Sequence, residues 1–314
     1  MTVAAEPTLS PLAQAISGEH IVRKSWDVSA AYRYCESLAK SHYENFPVGS
    51  ILIPQALRKH FYSIYAFART ADDFADEAYG EGYTDQHRLE LLDEWLRMLR
   101  ECFEGRATHP IFIALSETAS KFDLPIGLFE DLLSAFSQDV TVRRYRTLAE
   151  LLDYCRRSAN PVGRLILLLF GHRDPQMHAW SDDICSALQL ANHWQDIRID
   201  LDKDRIYLPS ENLERFGLTE EDLKRSEVSE SFTQLMRFEV QRARAMFDRG
   251  KRLCTEVRGR LGLELRVVWL GGVTILERIE QNGYDVFNRR PVISSADKLR
   301  ILSLAVRTGA FRRY

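Results

Sequence analysis

Apolar residues recur at every third or fourth position through most of this 314-residue chain. The pattern is clear in one segment, where charged residues separate the apolar ones: Leu91, Leu92, Trp95, Leu96, Met98, Leu99, Cys102 and Phe103. An α-helix has about 3.6 residues per turn, so this spacing places the apolar side chains on one face. Alternating segments on both sides of an Asn-Gly or Asp-Gly turn, which would indicate β-hairpins, are absent. The chain is therefore predicted to be all-α, a single domain of about ten helices over residues 21–314.

Local signals predict where individual helices begin and where one is interrupted. Thr147 and Glu150, and likewise Ser294 and Asp297, stand three residues apart as in capping boxes, so a helix should begin at each pair. Pro161 precedes the apolar run 165–170, and a proline removes a backbone donor and clashes with the preceding turn. We expect a kink or a split there, either with freed carbonyl groups lining a cavity or as a simple corner between two helices.

The composition excludes several classes of protein. With 42 Lys and Arg against 45 Asp and Glu, the formal charge of −3 does not favour nucleic acid as the main partner. Five cysteines without C-x-x-C spacing indicate reduced thiols in a cytoplasmic protein, not a disulfide framework or a zinc site. No apolar run approaches the roughly 20 residues of a membrane span. Residues 1–20 lack the pattern of a secretion signal and are expected to form a loose leader.

The first of two acidic clusters occupies residues 72–76. If the segment is helical, Tyr65, Arg69, Asp72 and Asp76 follow one another along one stripe, so an aromatic ring, a cation and two carboxylates share a face. Paired carboxylates suit Mg²⁺, which takes one or two of them and completes its shell with water and substrate phosphate. The alternative is a solvated acidic helix end with an Arg69–Asp72 ion pair.

The second acidic cluster repeats this spacing. Asn192, Asp196 and Asp200 stand at successive four-residue steps, which aligns an amide oxygen with two carboxylates on a helix. Arg205 and Tyr207 follow in a less helical stretch and are placed to reach phosphate oxygens, which arginine binds in a bidentate manner. The two clusters together predict a site for several divalent cations and a diphosphate.

The two motifs also carry a family resemblance: Arg69-x-x-Asp72-Asp-x-x-Asp76 and Asn192-x-x-Gln195-Asp196-x-x-x-Asp200-x-x-x-x-Arg205-x-Tyr207. From about Ala30 to Arg290 the chain resembles the squalene/phytoene synthase family of head-to-head prenyl transferases. Residues 42–48, 68–73 and 154–163 are similar to the hydroxysqualene synthase branch of bacterial hopanoid biosynthesis. The resemblance implies an isoprenoid-synthase-type helical barrel around a deep apolar cavity. It implies conversion of presqualene diphosphate to hydroxysqualene with loss of diphosphate.

The resemblance also implies a role for individual residues. The expected Mg²⁺ ligands are Asp72, Asp76, Asn192, Asp196 and Asp200. The expected diphosphate-binding residues are Arg69, Arg205, Tyr207 and Arg289. Tyr65 and Tyr154 would lie near the reacting carbons and Phe46 would line the cavity. Residues 43–46 lack the basic side chain that the family has in this segment, and Ile199 stands where some relatives have a carboxylate.

These departures leave room for a related reaction. One alternative is condensation of two farnesyl diphosphates to presqualene diphosphate or squalene, and another is phytoene synthesis. A third is an assembly factor that has lost catalysis, against which the intact aspartates argue. No glycine-rich dinucleotide motif is present, so NADPH is not expected.

The last segment, residues 297–314, combines apolar residues with five Lys and Arg and resembles a basic amphipathic helix. Such a helix either packs its apolar face on the protein or lies on anionic lipid at the inner face of the membrane. The expected partners are the prenyl diphosphate substrate and a membrane surface in peripheral contact. The resemblance also implies neighbouring squalene-pathway enzymes that supply the substrate and accept the product.

Overall fold

The computed structural model describes residues 26–41, 53–76 and 84–310, and this part of the chain is all-α, as predicted. The helices are α1 (Val28–Ser41), α2 (Gln55–Asp76), α3 (Asp85–Phe103), α4 (Pro110–Phe122), α5 (Ile126–Thr141), α6 (Leu148–Ser158), α7 (Asn160–Leu169), α8 (Pro175–Gln195), α9 (Ile197–Asp202), α10 (Ser210–Arg215), α11 (Glu220–Lys224), α12 (Glu230–Gly250), α13 (Leu253–Glu256), α14 (Gly259–Gln281) and α15 (Ser295–Ala310). Helices α9, α10, α11 and α13 have only four to six residues, which is too short for apolar periodicity to reveal.

The chain divides into two compact units, one ending at Thr141 and the other beginning at Val142. The single domain over residues 21–314 and the helical barrel with its cavity stay predictions. The leader expected at residues 1–20 lies outside the described residues, as does Phe46. No helix of the described part combines the length and apolar character needed to cross a membrane.

In the first unit, α2 packs against α1, α3, α4 and α5. Aromatic side chains fill the space between these helices: Phe67, Phe74, Trp95, Phe112 and Phe129 are fully buried. The Trp95 indole donates a hydrogen bond to the Phe67 carbonyl at 3.3 Å, which ties α3 to α2. The predicted stripe on α3 is confirmed, since Leu92, Trp95, Leu99 and Cys102 form its buried face. This core holds the helix that carries the first acidic cluster.

A buried polar cluster fastens the other side of α2. The hydroxyl groups of Tyr32 and Thr118 and Nδ1 of His60 lie 2.9–3.0 Å from one another. Ser63 joins them through a 3.0 Å contact with Thr118. Burial raises the pKa of Tyr32 to about 12. The cluster therefore links α1, α2 and α4 through uncharged hydrogen bonds.

In the second unit, α8 is the central helix and packs along α12, with α6, α7 and α14 around it. Helix α14 approaches both α12 and α8 closely at Gly272. A Cβ atom there would clash with the ring of Phe247 on α12 and lie 2.8 Å from Leu188 on α8. Gly272 is thus a packing position within a helix, consistent with the absence of a glycine-rich phosphate loop in this segment.

Of the two predicted capping boxes in this unit, the structure forms one in full and the other in part. The Ser294–Asp297 box forms at the start of α15, with each residue accepting the backbone N–H of the other. At α6, Thr147 accepts from the Glu150 N–H, but the Glu150 carboxylate accepts from the N–H of Arg146 instead of Thr147. The split expected near Pro161 is confirmed, because α6 ends at Ser158 and α7 begins at Asn160.

Candidate functional site

The first acidic cluster lies at the C-terminal end of α2, which confirms its helical spacing. The Arg69 guanidinium bonds Asp72 at 3.2 Å and also contacts Asp73. The ion pair offered as the alternative to a metal site is therefore present. The side chain of Asp73 is only 4% exposed, while that of Asp72 is 38% exposed. Asp72 consequently retains access to solvent ions. The helix ends at Asp76, whose side chain lies outside the described residues.

Tyr65 lies one turn before Arg69 on α2 and is half-buried. Desolvation raises the pKa of its hydroxyl, although the Arg69 charge acts in the opposite direction. Tyr65 therefore stays a neutral phenol at physiological pH, and its ring belongs to the same helix segment as the Arg69–Asp72 pair.

The second acidic cluster lies where α8 gives way to α9. Asp196 is the residue between the two helices, with φ −105° and ψ 13°, so the three predicted ligands do not share one uninterrupted helix. The four-residue step nevertheless continues in the backbone hydrogen bonds, from the Asp196 N–H to the Asn192 carbonyl and from the Asp200 N–H to the Asp196 carbonyl, both 2.9 Å. The four-residue hydrogen-bond pattern therefore continues across the break at Asp196.

An arginine that the sequence did not single out holds this cluster. Arg290 donates two hydrogen bonds to the Asp196 carboxylate, at 2.5 and 3.2 Å. The bond to Asp196 raises the pKa of Arg290. The preceding residue, Arg289, is exposed, and its carbonyl accepts from Asn282. A role for Arg289 on the diphosphate stays a prediction. The pair of adjacent arginines was a visible signal, but the sequence could not show which of them faces Asp196.

The loop that carries Arg290 is also fastened to the end of α8. Gln195 Nε2 donates to the Pro291 carbonyl at 2.6 Å. This bond and the two from Arg290 fix the loop before α15 against the α8–α9 break, so the position of Arg290 is set by tertiary contacts on both sides.

Arg205 and Tyr207 lie in an extended segment after α9, as expected. The Arg205 N–H donates to the Asp200 carbonyl at 2.8 Å, and the next residue, Ile206, donates to the Arg143 carbonyl at 2.9 Å. Arg144 reinforces this pairing through a 2.7 Å bond to the Asp204 carboxylate. The segment is therefore held at both ends, and the two predicted phosphate-binding residues are positioned by it.

An aromatic stack brings together two predicted site residues and a histidine. The rings of His193 and Tyr207 are stacked, with their centroids 3.6 Å apart and their planes at 14° to each other. The centroid of the Tyr154 ring lies 6.2 Å from those of both rings, and the centroid of the Tyr145 ring lies 5.8 Å from that of Tyr207. Burial lowers the pKa of His193 to about 3, with the Arg205 charge as a second cause, so the imidazole is neutral. The stack is thus a mostly buried, uncharged aromatic cluster beside a cation.

His193, Asp200, Arg205 and Tyr207 line one small pocket together with apolar side chains. The structure therefore brings three predicted site residues of the second unit together, each supplying a different function. Asp200 supplies carboxylate oxygen, Arg205 a cation and Tyr207 a phenol hydroxyl. The pocket has room for only about one water molecule, so these groups are close neighbours and do not by themselves form a substrate cavity.

The donor chemistry of both clusters fits Mg²⁺. Among the described residues no three His, Cys, Asp or Glu side chains lie close enough to enclose a metal ion by themselves. Mg²⁺ rarely needs such a cage, because it takes one or two carboxylates and fills its remaining positions with water and phosphate oxygens. Asp72 and Asp196 supply oxygen atoms only, and each is held by an arginine that could turn to phosphate. Each cluster, taken by itself, thus has donors that suit a metal ion shared with a diphosphate.

Comparisons with known proteins show the family of the chain. A model of the squalene/phytoene synthase family matches residues 39–297. The chain is 33% identical to a phytoene synthase of Arthrospira platensis, over 88% of this chain and 93% of that protein. A 15-cis-phytoene synthase of Synechocystis is 32% identical, over 88% of this chain and 85% of that one.

Solved structures show the same likeness. The crystal structure of the squalene synthase HpnC from Alicyclobacillus acidocaldarius is 43% identical, with a TM-score of 0.77 over 82% of this chain and 95% of that chain. A dehydrosqualene synthase shares the fold, with a TM-score of 0.79 at 23% identity over 91% of this chain and 98% of that one. The chain thus belongs to the squalene/phytoene synthase family.

Proposed function

We propose that this protein is a Mg²⁺-dependent enzyme of squalene and hopanoid biosynthesis that converts presqualene diphosphate to hydroxysqualene. The observation that carries the proposal is that Asp200, Arg205 and Tyr207 lie next to one another in the second unit. Together they offer a carboxylate for Mg²⁺, and a cation and a phenol hydroxyl for a diphosphate. The 43% identity to HpnC supports the squalene branch.

The carboxylates of both motifs are proposed to hold the metal: Asp72, Asp76, Asp196 and Asp200, with the amide oxygen of Asn192. When bound, Mg²⁺ would supply positive charge to the diphosphate and so favour cleavage of the C–O bond. The absence of a nicotinamide-binding motif leads us to propose that the reaction consumes no NADPH.

The arginines are proposed to bind the leaving group. Arg69, Arg205 and Arg289 would donate hydrogen bonds to phosphate oxygens, as would the Tyr207 hydroxyl, and so stabilise the charge that develops as diphosphate departs with the bonding electrons. Arg290 is suited to the same task, since its guanidinium already makes a two-point contact with a carboxylate.

The aromatic residues are proposed to guide the cation that remains. The faces of Tyr65 and Tyr154 would stabilise it by about 1–2 kcal/mol each when water is excluded. Phe46 is proposed to line the same cavity. One water then bonds to the rearranged cation and loses a proton, which gives the alcohol. We propose that the Tyr154 hydroxyl orients this water.

A second candidate is the condensation reaction of the family, which joins two prenyl diphosphates. The 33% identity to the Arthrospira phytoene synthase over most of both chains favours it. A catalytically inactive assembly factor is a third candidate, against which the aligned aspartates and their arginines argue.

The test is incubation of the purified protein with Mg²⁺ and, in separate reactions, presqualene, farnesyl and geranylgeranyl diphosphates. We expect hydroxysqualene from presqualene diphosphate without NADPH. Phytoene from geranylgeranyl diphosphate, or squalene formed only with NADPH, would overturn the proposal. No product from any substrate would favour the assembly factor.

A matched pair of variants makes the test specific to the site. Asp200→Asn removes the carboxylate in the pocket, and we expect a loss of turnover of at least about 10³-fold. Asp202→Asn is the control, because Asp202 lies on the same short helix, is exposed and pairs only with Arg198 among the described side chains. Equal activity in both variants would remove Asp200 from the reaction.

A further inference from the structure

Helix α15 is apolar on the face that points to solvent. Leu299, Leu302 and Val306 are 71%, 49% and 53% exposed. Their spacing of three and four residues places them on one stripe of the helix. Ile301 and Ala305, on the side of the helix that faces the protein, are buried. The helix therefore packs on the protein with one apolar side and exposes a second apolar stripe. Packing on the protein and contact with lipid, which the sequence left as alternatives, are compatible in this geometry.

This outward stripe is held in place by bonds from α14. Arg278 and Asp297 form a 2.6 Å ion pair, and Arg300 bonds Glu277 at 3.0 Å. Arg266 donates to the Ala305 carbonyl at 2.7 Å, near the end of the described side chains. The stripe is thus a fixed surface of a well-anchored helix.

Two exposed cations of α15, Lys298 and Arg307, flank the stripe, and a third, Arg300, is paired with Glu277 of α14. The acidic residue of α15, Asp297, is buried against Arg278. At about 100° per residue, Lys298 lies on one side of the stripe and Arg307 on the other. An apolar stripe with cations on both sides is the pattern of a helix that lies in a membrane interface, with apolar side chains among the acyl chains and cations at anionic headgroups.

We propose that this face of α15 docks on an anionic lipid surface. A second copy of the chain fits the face less well, because a symmetric contact would bring like charges together. The residues proposed for diphosphate chemistry are not part of this face, so the proposal stands independently of the proposed function.

The test is co-sedimentation of the full chain with vesicles of phosphatidylcholine alone and with vesicles that also contain phosphatidylglycerol. We expect binding to the anionic vesicles that weakens with salt. The triple variant Leu299→Ser, Leu302→Ser, Val306→Ser should lower the partition coefficient at least tenfold. Lys298→Ala with Arg307→Ala should remove most of the preference for anionic vesicles.

The control is Val28→Ser with Val228→Ser, two exposed valines outside α15. Its partition coefficient on vesicles should lie within twofold of that of the unchanged protein. Circular dichroism should show that all variants are folded. Equal binding by the triple variant, or no binding to anionic vesicles, would overturn the proposal. A dimer that sedimentation equilibrium detects in the unchanged protein and not in the triple variant would assign the stripe to self-association and also overturn it.

Discussion

The two acidic motifs have the same spacing but are built differently. On α2, the cation that neutralises Asp72 is Arg69, three residues away on the same helix. At the α8–α9 break, the cation on Asp196 is Arg290, which is 94 residues away along the chain. The first motif is a local product of helix geometry, whereas the second depends on the folding of the whole second unit. Changes at distant positions should therefore disturb the second motif and leave the first intact.

The largest expected effect distinguishes the roles of the two neighbouring aspartates on α2, Asp72 and Asp73. Asp72→Asn should lower turnover at least about 10³-fold with unchanged stability, because Asp72 faces solvent and is proposed to bind metal. Asp73→Asn should instead lower the free energy of unfolding by about 2–3 kcal/mol, because it leaves Arg69 without its buried partner.

The measurements are steady-state kinetics and urea unfolding of both variants. Loss of turnover in a fully stable Asp73→Asn variant would contradict the assignment of Asp73 to structure. A strongly destabilised Asp72→Asn variant would mean that the exposed carboxylate, too, belongs to the fold, and the local motif would then lose its role in binding metal.

The same contrast explains what the sequence could and could not predict. The helical spacing of residues 72–76, the stripe on α3 and the cap at Ser294 follow from neighbouring residues, and the structure has them. The break at Asp196 and the bond from Arg290 depend on where distant segments pack, which no local pattern records. The same holds for the stack of His193 on Tyr207.

The next prediction tests the distant partner of the second motif. Arg290→Ala should lower kcat/KM about 10²-fold, because it removes a bidentate cation from the diphosphate region. It should also lower the Mg²⁺ concentration needed for half-maximal activity, since Arg290 no longer competes for Asp196. Kinetics at varied Mg²⁺ measure both quantities.

Arg289→Ala is the matched control for this variant, as the two arginines are adjacent and both are exposed. We expect a smaller loss from Arg289→Ala, with the Mg²⁺ requirement unchanged. A larger loss from Arg289→Ala would make it the main phosphate-binding arginine and leave Arg290 with the task of holding Asp196.

The smallest effect concerns the core behind the local motif, where His109 packs against Trp95, the residue that ties α3 to α2. Burial lowers the pKa of His109 from 6.5 to about 4. Between these values the unfolded chain binds a proton that the folded protein does not, so stability rises with pH across this window and is lost as the pH falls towards 4. The loss from this residue should be about 3 kcal/mol at pH 4. His109→Asn keeps an acceptor for the Ile111 N–H at the start of α4 and removes the titration. Urea unfolding between pH 4.5 and 7.5 should therefore give a flatter profile for this variant, and an unchanged profile would show that the acid sensitivity of the first unit arises elsewhere.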